Sequence, residues 1–179
     1  SADFDGGTLT VAITSNLVAA EDSLTLDTSG NIALSGNTAG STVAIAGTVV
    51  GTLANAITEG ADLVINLTDQ ATPSNLPSLL RAIPYQNTET TTPTTTARAI
   101  QVTLTDGDGG TSTVNTATIA VTEAVRTVTL SVSAASGTEA GATAITVSAT
   151  ADASVTGNQT INLDVAGTNL TAGDYTLST

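Results

Sequence analysis

Strict alternation of apolar and polar residues is the feature that most limits what this 179-residue chain can fold into. Leu9, Val11 and Ile13 alternate with threonines, and the same period of two recurs in 63–67, 100–104 and 128–132. A period of two places every second side chain on the same face of a β-strand. Each of these segments is therefore predicted to be a strand with one dry face.

Further strands are predicted between the turn signals of the chain. The 38 threonines and the many valines and isoleucines fit pleated, half-buried strands better than helices. Eight shorter segments have this character: 23–26, 32–34, 43–45, 49–53, 83–86, 114–121, 145–148 and 161–165. Strands at this spacing, separated by Ser-Gly, Gly-Asn and Gly-Gly turns, are typical of a β-sandwich. The predicted fold class is all-β.

One short helix is predicted near 74–81. Leu76, Leu79 and Leu80 have helical spacing there. Ser74 or Asn75 is the expected N-cap, and proline is tolerated in the first turn of a helix. The threonine-rich run 90–96 that follows is predicted to be an exposed loop.

Composition excludes several classes of function. The chain has no histidine and no cysteine, which excludes histidine or cysteine catalysis and ordinary zinc sites. Hydrolysis by paired carboxylates stays formally open, but no enzyme is predicted. The net charge of −13 would repel nucleic acid and anionic membranes. No run approaches the roughly 18 apolar residues of a membrane helix, so no membrane insertion is expected.

Two acidic, glycine-rich runs carry the only concentrated chemistry. The first contains Asp3 and Asp5 before Gly6-Gly7, and the second contains Asp106 and Asp108 before Gly109-Gly110. Carboxylates spaced i, i+2 on a glycine-rich backbone can direct several oxygens toward one point, as Ca²⁺ requires. A turn in which the aspartates bond their own backbone uses the same residues, so both alternatives stay open.

Residues 1 to about 122 resemble the cadherin-like repeat of very large bacterial surface and secreted proteins. The matching motifs are 79–88 (LLRAIPYQNT), 98–112 (RAIQVTLTDGDGGTS) and the opening 1–9 (SADFDGGTL). The resemblance implies an immunoglobulin-like (Ig-like) β-sandwich over 1–123. Related repeats commonly have a further strand ahead of this opening.

The second segment resembles the amino-terminal half of a Calx-beta domain, another Ig-like sandwich. The matching motifs are 128–133, 136–141 (SGTEAG) and 172–175 (AGDY). In calcium-binding members the corresponding acidic residues are ligands, which implies metal-ligand roles for Glu139 and Asp174. Residues 124–179 are thus predicted to be an incomplete sandwich.

These expectations point to a structural repeat of a large extracellular bacterial protein, such as an adhesin stalk, matrix or filament subunit. The expected partners are neighbouring modules or other copies of the chain. Because both predicted sandwiches lack strands, copies are expected to complete one another by strand addition, unless the chain is part of a longer protein. The alternative is a module that recognises a glycan or a receptor, for which Phe4, Tyr85 and Tyr175 are the only aromatic residues.

Overall fold

A computed structural model describes residues 3–123, 127–133 and 146–152. The chain divides into two compact units, Ser1–Val125 and Arg126–Thr179. Among these described residues, strands in antiparallel sheets dominate and there is almost no helix, which confirms the all-β prediction. In the part of the chain that the structure describes, no helix is long and apolar enough to cross a membrane.

The first unit is built around a seven-stranded antiparallel sheet. Its spatial order is β3-β4-β5-β6-β1-β8-β9, so the chain's first strand lies inside the sheet. The strands are β1 (Thr8–Ser15), β3 (Ile32–Leu34), β4 (Thr42–Ile45), β5 (Thr48–Leu53), β6 (Leu63–Leu67), β8 (Arg98–Leu104) and β9 (Asn115–Ile119). β1 pairs with β6 on one side and with β8 on the other.

A second, smaller layer completes the core of this unit. It consists of the two-stranded sheet β2 (Asp22–Leu24) and β7 (Tyr85–Asn87) and of the helix α1 (Leu76–Arg81). The alternating apolar residues of β1 and β6 are buried in one cluster with Leu24, Leu76 and Leu79. Burying a leucine or isoleucine side chain contributes about 1.5–3 kcal/mol, so this cluster is the main stabilising feature of the unit.

Helix α1 lies within the predicted segment, but its expected side-chain cap is absent. Asn75 is the N-cap residue and makes no side-chain capping hydrogen bond. Its Oδ1 accepts a hydrogen bond from the N–H of Thr72 at 2.9 Å, and its Nδ2 donates to the carbonyl of Gln70 at 2.8 Å. Asn75 therefore stabilises the turn before the helix instead of the first helical N–H groups.

The first and last strands of the unit run in the same direction. β8 is antiparallel to both β1 and β9. Leu9 at the start of β1 lies opposite Leu104 at the end of β8, whereas Ile119 at the end of β9 lies opposite Arg98 at the start of β8. The chain thus enters β1 at one end of the sheet and leaves β9 at the other end.

In the second unit the described residues form one two-stranded antiparallel sheet, β10 (Val128–Val132) with β11 (Val147–Ala151). Val128, Leu130 and Val132 lie on one face opposite Ala151, Ala149 and Val147. Strands were predicted at both places. The strand predicted over 161–165 lies outside the described residues, and the assignment of either unit to an Ig-like sandwich stays a prediction.

Candidate functional site

The two acidic runs meet at one end of the seven-stranded sheet. We call this region, residues 5–7 and 105–110, the glycine junction. The N–H of Thr8 donates to Oγ1 of Thr105 at 2.8 Å, and the N–H of Thr105 donates to the carbonyl of Thr8 at 2.9 Å. Gly107 has φ +80°, and a Cβ there would collide with the carbonyl oxygen of Asp5 and lie 2.8 Å from the carbonyl carbon of Gly6. The backbones touch because glycine occupies these positions.

Two carboxylates at this end of the sheet, those of Asp106 and Asp3, take part in local turns. Oδ1 of Asp106 accepts hydrogen bonds from the N–H groups of Asp108 at 2.9 Å and Gly110 at 2.8 Å. The N–H of Gly110 and then that of Asp108 hold the pKa of Asp106 below its ordinary value. Oδ1 of Asp3 accepts a longer bond, 3.4 Å, from the N–H of Asp5. Asp106 thus forms the aspartate turn that the sequence left open as an alternative to a metal site.

Calcium binding stays a prediction. Over residues 3–123, 127–133 and 146–152, no three acidic side chains form a group that could hold a metal ion. The candidates Glu139 and Asp174 lie outside the described residues. The junction does bring Asp3, Asp5, Asp106 and Asp108 to the same end of the unit.

Among the described residues, the most concentrated polar arrangement is a cluster around two buried charges that sequence reasoning missed. We call it the arginine cluster; its members are Glu21, Asp22, Tyr85, Asn87, Thr94 and Arg98. Arg98, the first residue of β8, is fully buried, and its Nε donates to Oδ2 of Asp22 at 2.7 Å. Its Nη1 donates to the carbonyls of Thr94, at 3.0 Å, and of Thr96. One guanidinium thus connects β2, β8 and the loop before β8.

Asp22 is the second buried charge of the arginine cluster. Its Oδ2 also accepts from the N–H of Val18 at 2.7 Å, and its Oδ1 accepts from the Tyr85 hydroxyl at 2.7 Å. Burial is the largest influence on this carboxyl and opposes its ionisation. The hydrogen bonds from Arg98, Val18 and Tyr85 together outweigh it and lower the pKa of Asp22 below its ordinary value.

Glu21 fastens the threonine-rich loop to the same cluster. Its Oε2 accepts from the N–H of Thr94 at 2.9 Å, and its Oε1 accepts from the Thr94 hydroxyl at 2.9 Å. The backbone bond from Thr94 is the main cause of the lowered pKa of Glu21. Nη2 of Arg98 lies 3.6 Å from Oε2 of Glu21 and has no hydrogen-bond partner within the described residues. Thr94 is therefore held on its donor side by Glu21 and on its carbonyl side by Arg98.

The hydrogen bonds of the arginine cluster link strands and loops of the first unit to one another. A carboxylate with a lowered pKa is a poor base, and burial together with the bond to Asp22 raises the pKa of the Tyr85 hydroxyl. The partner of this hydroxyl is a side chain, the carboxylate of Asp22.

A signal for the cluster is present in the sequence. Arg98 is in phase with Ile100 and Val102, and Asp22 is in phase with Leu24 and Leu26. A charge in phase with the apolar positions of a strand points toward the core, where it needs a partner of opposite sign.

Neither of two cavities among the described residues is lined by paired carboxylates. One of about 310 Å³ is lined by Thr25, Leu26, Thr28, Leu34, Asn37 and Ile57. The other, of about 280 Å³, lies beside the glycine junction and includes Phe4 and a single carboxylate, Asp106.

The chain matches no protein-family model, and the searches of curated proteins and of solved structures found no similar protein. The resemblances to the cadherin-like repeat and the Calx-beta domain therefore rest on the sequence motifs alone.

Proposed function

We propose that the chain is a structural repeat of a large extracellular bacterial protein, an adhesin stalk, matrix or filament subunit that transmits tension between its neighbours. The observation that carries this proposal is the common direction of β1 and β9. Because the chain enters and leaves the first unit at opposite ends of the sheet, a pull along the chain acts parallel to the strands.

This direction of load is mechanically favourable. The hydrogen bonds of antiparallel strands run perpendicular to the strand axis, so a pull along the axis strains many of them at once. β1 is hydrogen-bonded on both sides, with register pairs from Thr8 to Val11 toward β6 and from Leu9 to Ser15 toward β8. Removing β1 by such a pull therefore requires both ladders to slide together.

The arginine cluster supports the same role. It joins β2 to the start of β8 and holds the intervening loop at Thr94. Arg98 and Asp22 face each other inside the unit, so both of these buried charges serve the fold. A buried polar network of this kind helps to specify how the layers are placed.

The proposal includes calcium binding and an extracellular location for the protein. An acidic surface with only three cationic residues attracts divalent cations, and the absence of cysteine makes the fold independent of the redox compartment. The alternative, glycan recognition, receives less support, because Phe4 and Tyr85 pack against the hydrophobic core. Tyr175 lies outside the described residues.

Single-molecule pulling tests the proposal, and the absence of native cysteine allows attachment points to be chosen freely. One variant carries Asp5→Cys and Glu123→Cys, which apply force between opposite ends of the sheet. The control carries Asp5→Cys and Asp108→Cys, both at the glycine junction, so that strands separate one bond at a time. We expect a clearly higher unfolding force for the first pair. Equal forces, or a higher force for the control, would overturn the load-bearing role.

A further inference from the structure

Strand β9 is an edge strand without the features that normally protect an edge. It is the last strand of the seven-stranded sheet, and no described strand pairs with its outer side. There is no charged residue and no proline between Asp108 and Glu123, and its pairing with β8 is regular, without a bulge. Monomeric proteins usually protect such an edge with lysine, proline, a bulge or a covering element.

The side chains of β9 are also uncovered. Asn115 to Thr118 are exposed, and Ile119 is half-buried. Register places Ala117 opposite Ile100, so Ala117 lies on the core side of the sheet although it is exposed. The small layer of β2, β7 and α1 thus leaves the core side of β9 open.

We propose that β9 is the surface through which two copies of the chain associate, by antiparallel pairing of β9 with β9 around a two-fold axis at Ala117. The inference rests on the proposed structural role and names the surface that joins the copies. When the two-fold axis passes through Ala117, all five residues of one β9 strand pair with all five residues of the other.

Charge and side-chain pattern favour a second copy as the partner. The chain carries a net charge of −13, so most surfaces of two copies repel each other. Because β9 contains no charged residue, pairing it with β9 of a second copy places no like charges opposite each other. It places Thr116 of one copy opposite Thr118 of the other on the outer face, and threonine pairs across strands are favourable. The other edge of the sheet, β3, is also uncharged but has only three residues.

Cysteine cross-linking in the full 179-residue chain tests the register, and the native chain gives no background. Residues directly opposite in antiparallel strands have Cα atoms about 4.5–5.5 Å apart, within the range of a disulfide. We expect Ala117→Cys to form a disulfide-linked dimer under mild oxidation. Ala33→Cys, at an exposed position of β3, is the matched control and should stay uncross-linked.

Sedimentation tests the association itself. We expect the unmodified chain to form dimers, Ala117→Lys to be monomeric because the two lysines would face each other, and Ala33→Lys to remain dimeric. Circular dichroism and melting temperature of the lysine variants check that both fold.

The outcomes separate this inference from the proposed function. Association without a link at Ala117, or a link only between Ala33→Cys and Ala117→Cys copies, would overturn the β9 pairing. A monomer at all concentrations would overturn it as well. In each case the pulling experiment, which uses single molecules, still decides the load-bearing role.

Discussion

Oδ2 of Asp22 and Nε of Arg98, 76 residues apart in the chain, are joined by a 2.7 Å hydrogen bond while both side chains are fully buried. Two opposite charges removed from water lose their hydration, and only close pairing with further hydrogen bonds compensates for that loss. The Val18 N–H and the Tyr85 hydroxyl provide such bonds to Asp22. The arrangement therefore depends on every member being present.

Removing one charge of this pair should be strongly destabilising. Asp22→Asn leaves Arg98 buried without its carboxylate, which costs about 3–5 kcal/mol for a buried pair. Urea unfolding at pH 7 measures the loss in the free energy of unfolding. The control is Asp62→Asn, at an exposed position, where a change within about 0.5 kcal/mol is expected. Equal effects of the two substitutions would contradict the structural role of the cluster.

Removing both charges should cost less than the sum of the single substitutions. Arg98→Met leaves Asp22 as an unpaired buried charge, whereas the double variant Asp22→Asn, Arg98→Met buries no charge. We expect a coupling of about 1–3 kcal/mol in the double-mutant cycle, measured by urea unfolding. Strict additivity would show that the two side chains act independently.

Stability should fall in acid. The folded-state pKa values of Asp22 and Glu21 lie below their unfolded values of 3.8 and 4.5. The stability that these groups contribute is therefore complete above about pH 5 and is lost as the pH falls through the folded-state values. Urea unfolding at pH 7, 4 and 3 should show this decrease. Asp22→Asn should flatten the decrease, and an unchanged slope in that variant would assign it to other carboxylates.

Glycine should be required at position 107 for space as well as for its backbone angle. Gly107→Ala combines a positive φ, which costs about 1–2 kcal/mol for alanine, with a collision against the carbonyl of Asp5. Gly40 has φ +84° with nothing within 4 Å, so Gly40→Ala isolates the first contribution. Thermal melts should show a further loss of about 1–3 kcal/mol for Gly107→Ala. Matching melts for the two variants would refute close contact at the glycine junction.

If the chain binds calcium as predicted, its melting temperature should rise on addition of calcium and fall with a chelator. Extracellular sites have dissociation constants of about 0.1–1 mM, so 10 mM calcium would add about 1.4–2.7 kcal/mol. Asp108→Asn should reduce the response, and Asp62→Asn, next to the start of β6 and away from the glycine junction, should leave it unchanged. Identical melts with calcium and chelator would favour the turn formed by Asp106.

The strands of the first unit could be predicted because their burial follows the simplest rule of sheet structure. In β1 the buried residues are Leu9, Val11 and Ile13, the apolar members of the alternation. A residue's neighbours along the chain fix this pattern, so no knowledge of the partner strand is needed.

The cap of α1 and the arginine cluster could not be predicted in the same way. Asn75 had two local options, capping the helix or bonding Gln70 and Thr72, and only the folded loop decides between them. The carboxylates that pair with Arg98 lie far away from it in the sequence. Predicting this pairing therefore requires the strand order. The meeting of the two acidic runs likewise depends on β1 lying beside β8.

The position of β1 inside the sheet has a consequence for how the chain folds as it is synthesised. Strands β3 to β6 are neighbours in sequence and in space, so they can assemble as soon as they have emerged. β1 can pair with β6 early, but its other neighbour, β8, is made much later. Thr105, which follows β8 and bonds Thr8, lies 97 positions after Thr8. Pairings this distant in sequence slow folding, and until β8 arrives one side of β1 stays open to strands of other nascent chains. Because a chain is synthesised from its amino terminus, β1 must avoid pairing with strands of other chains until nearly the whole first unit has been made.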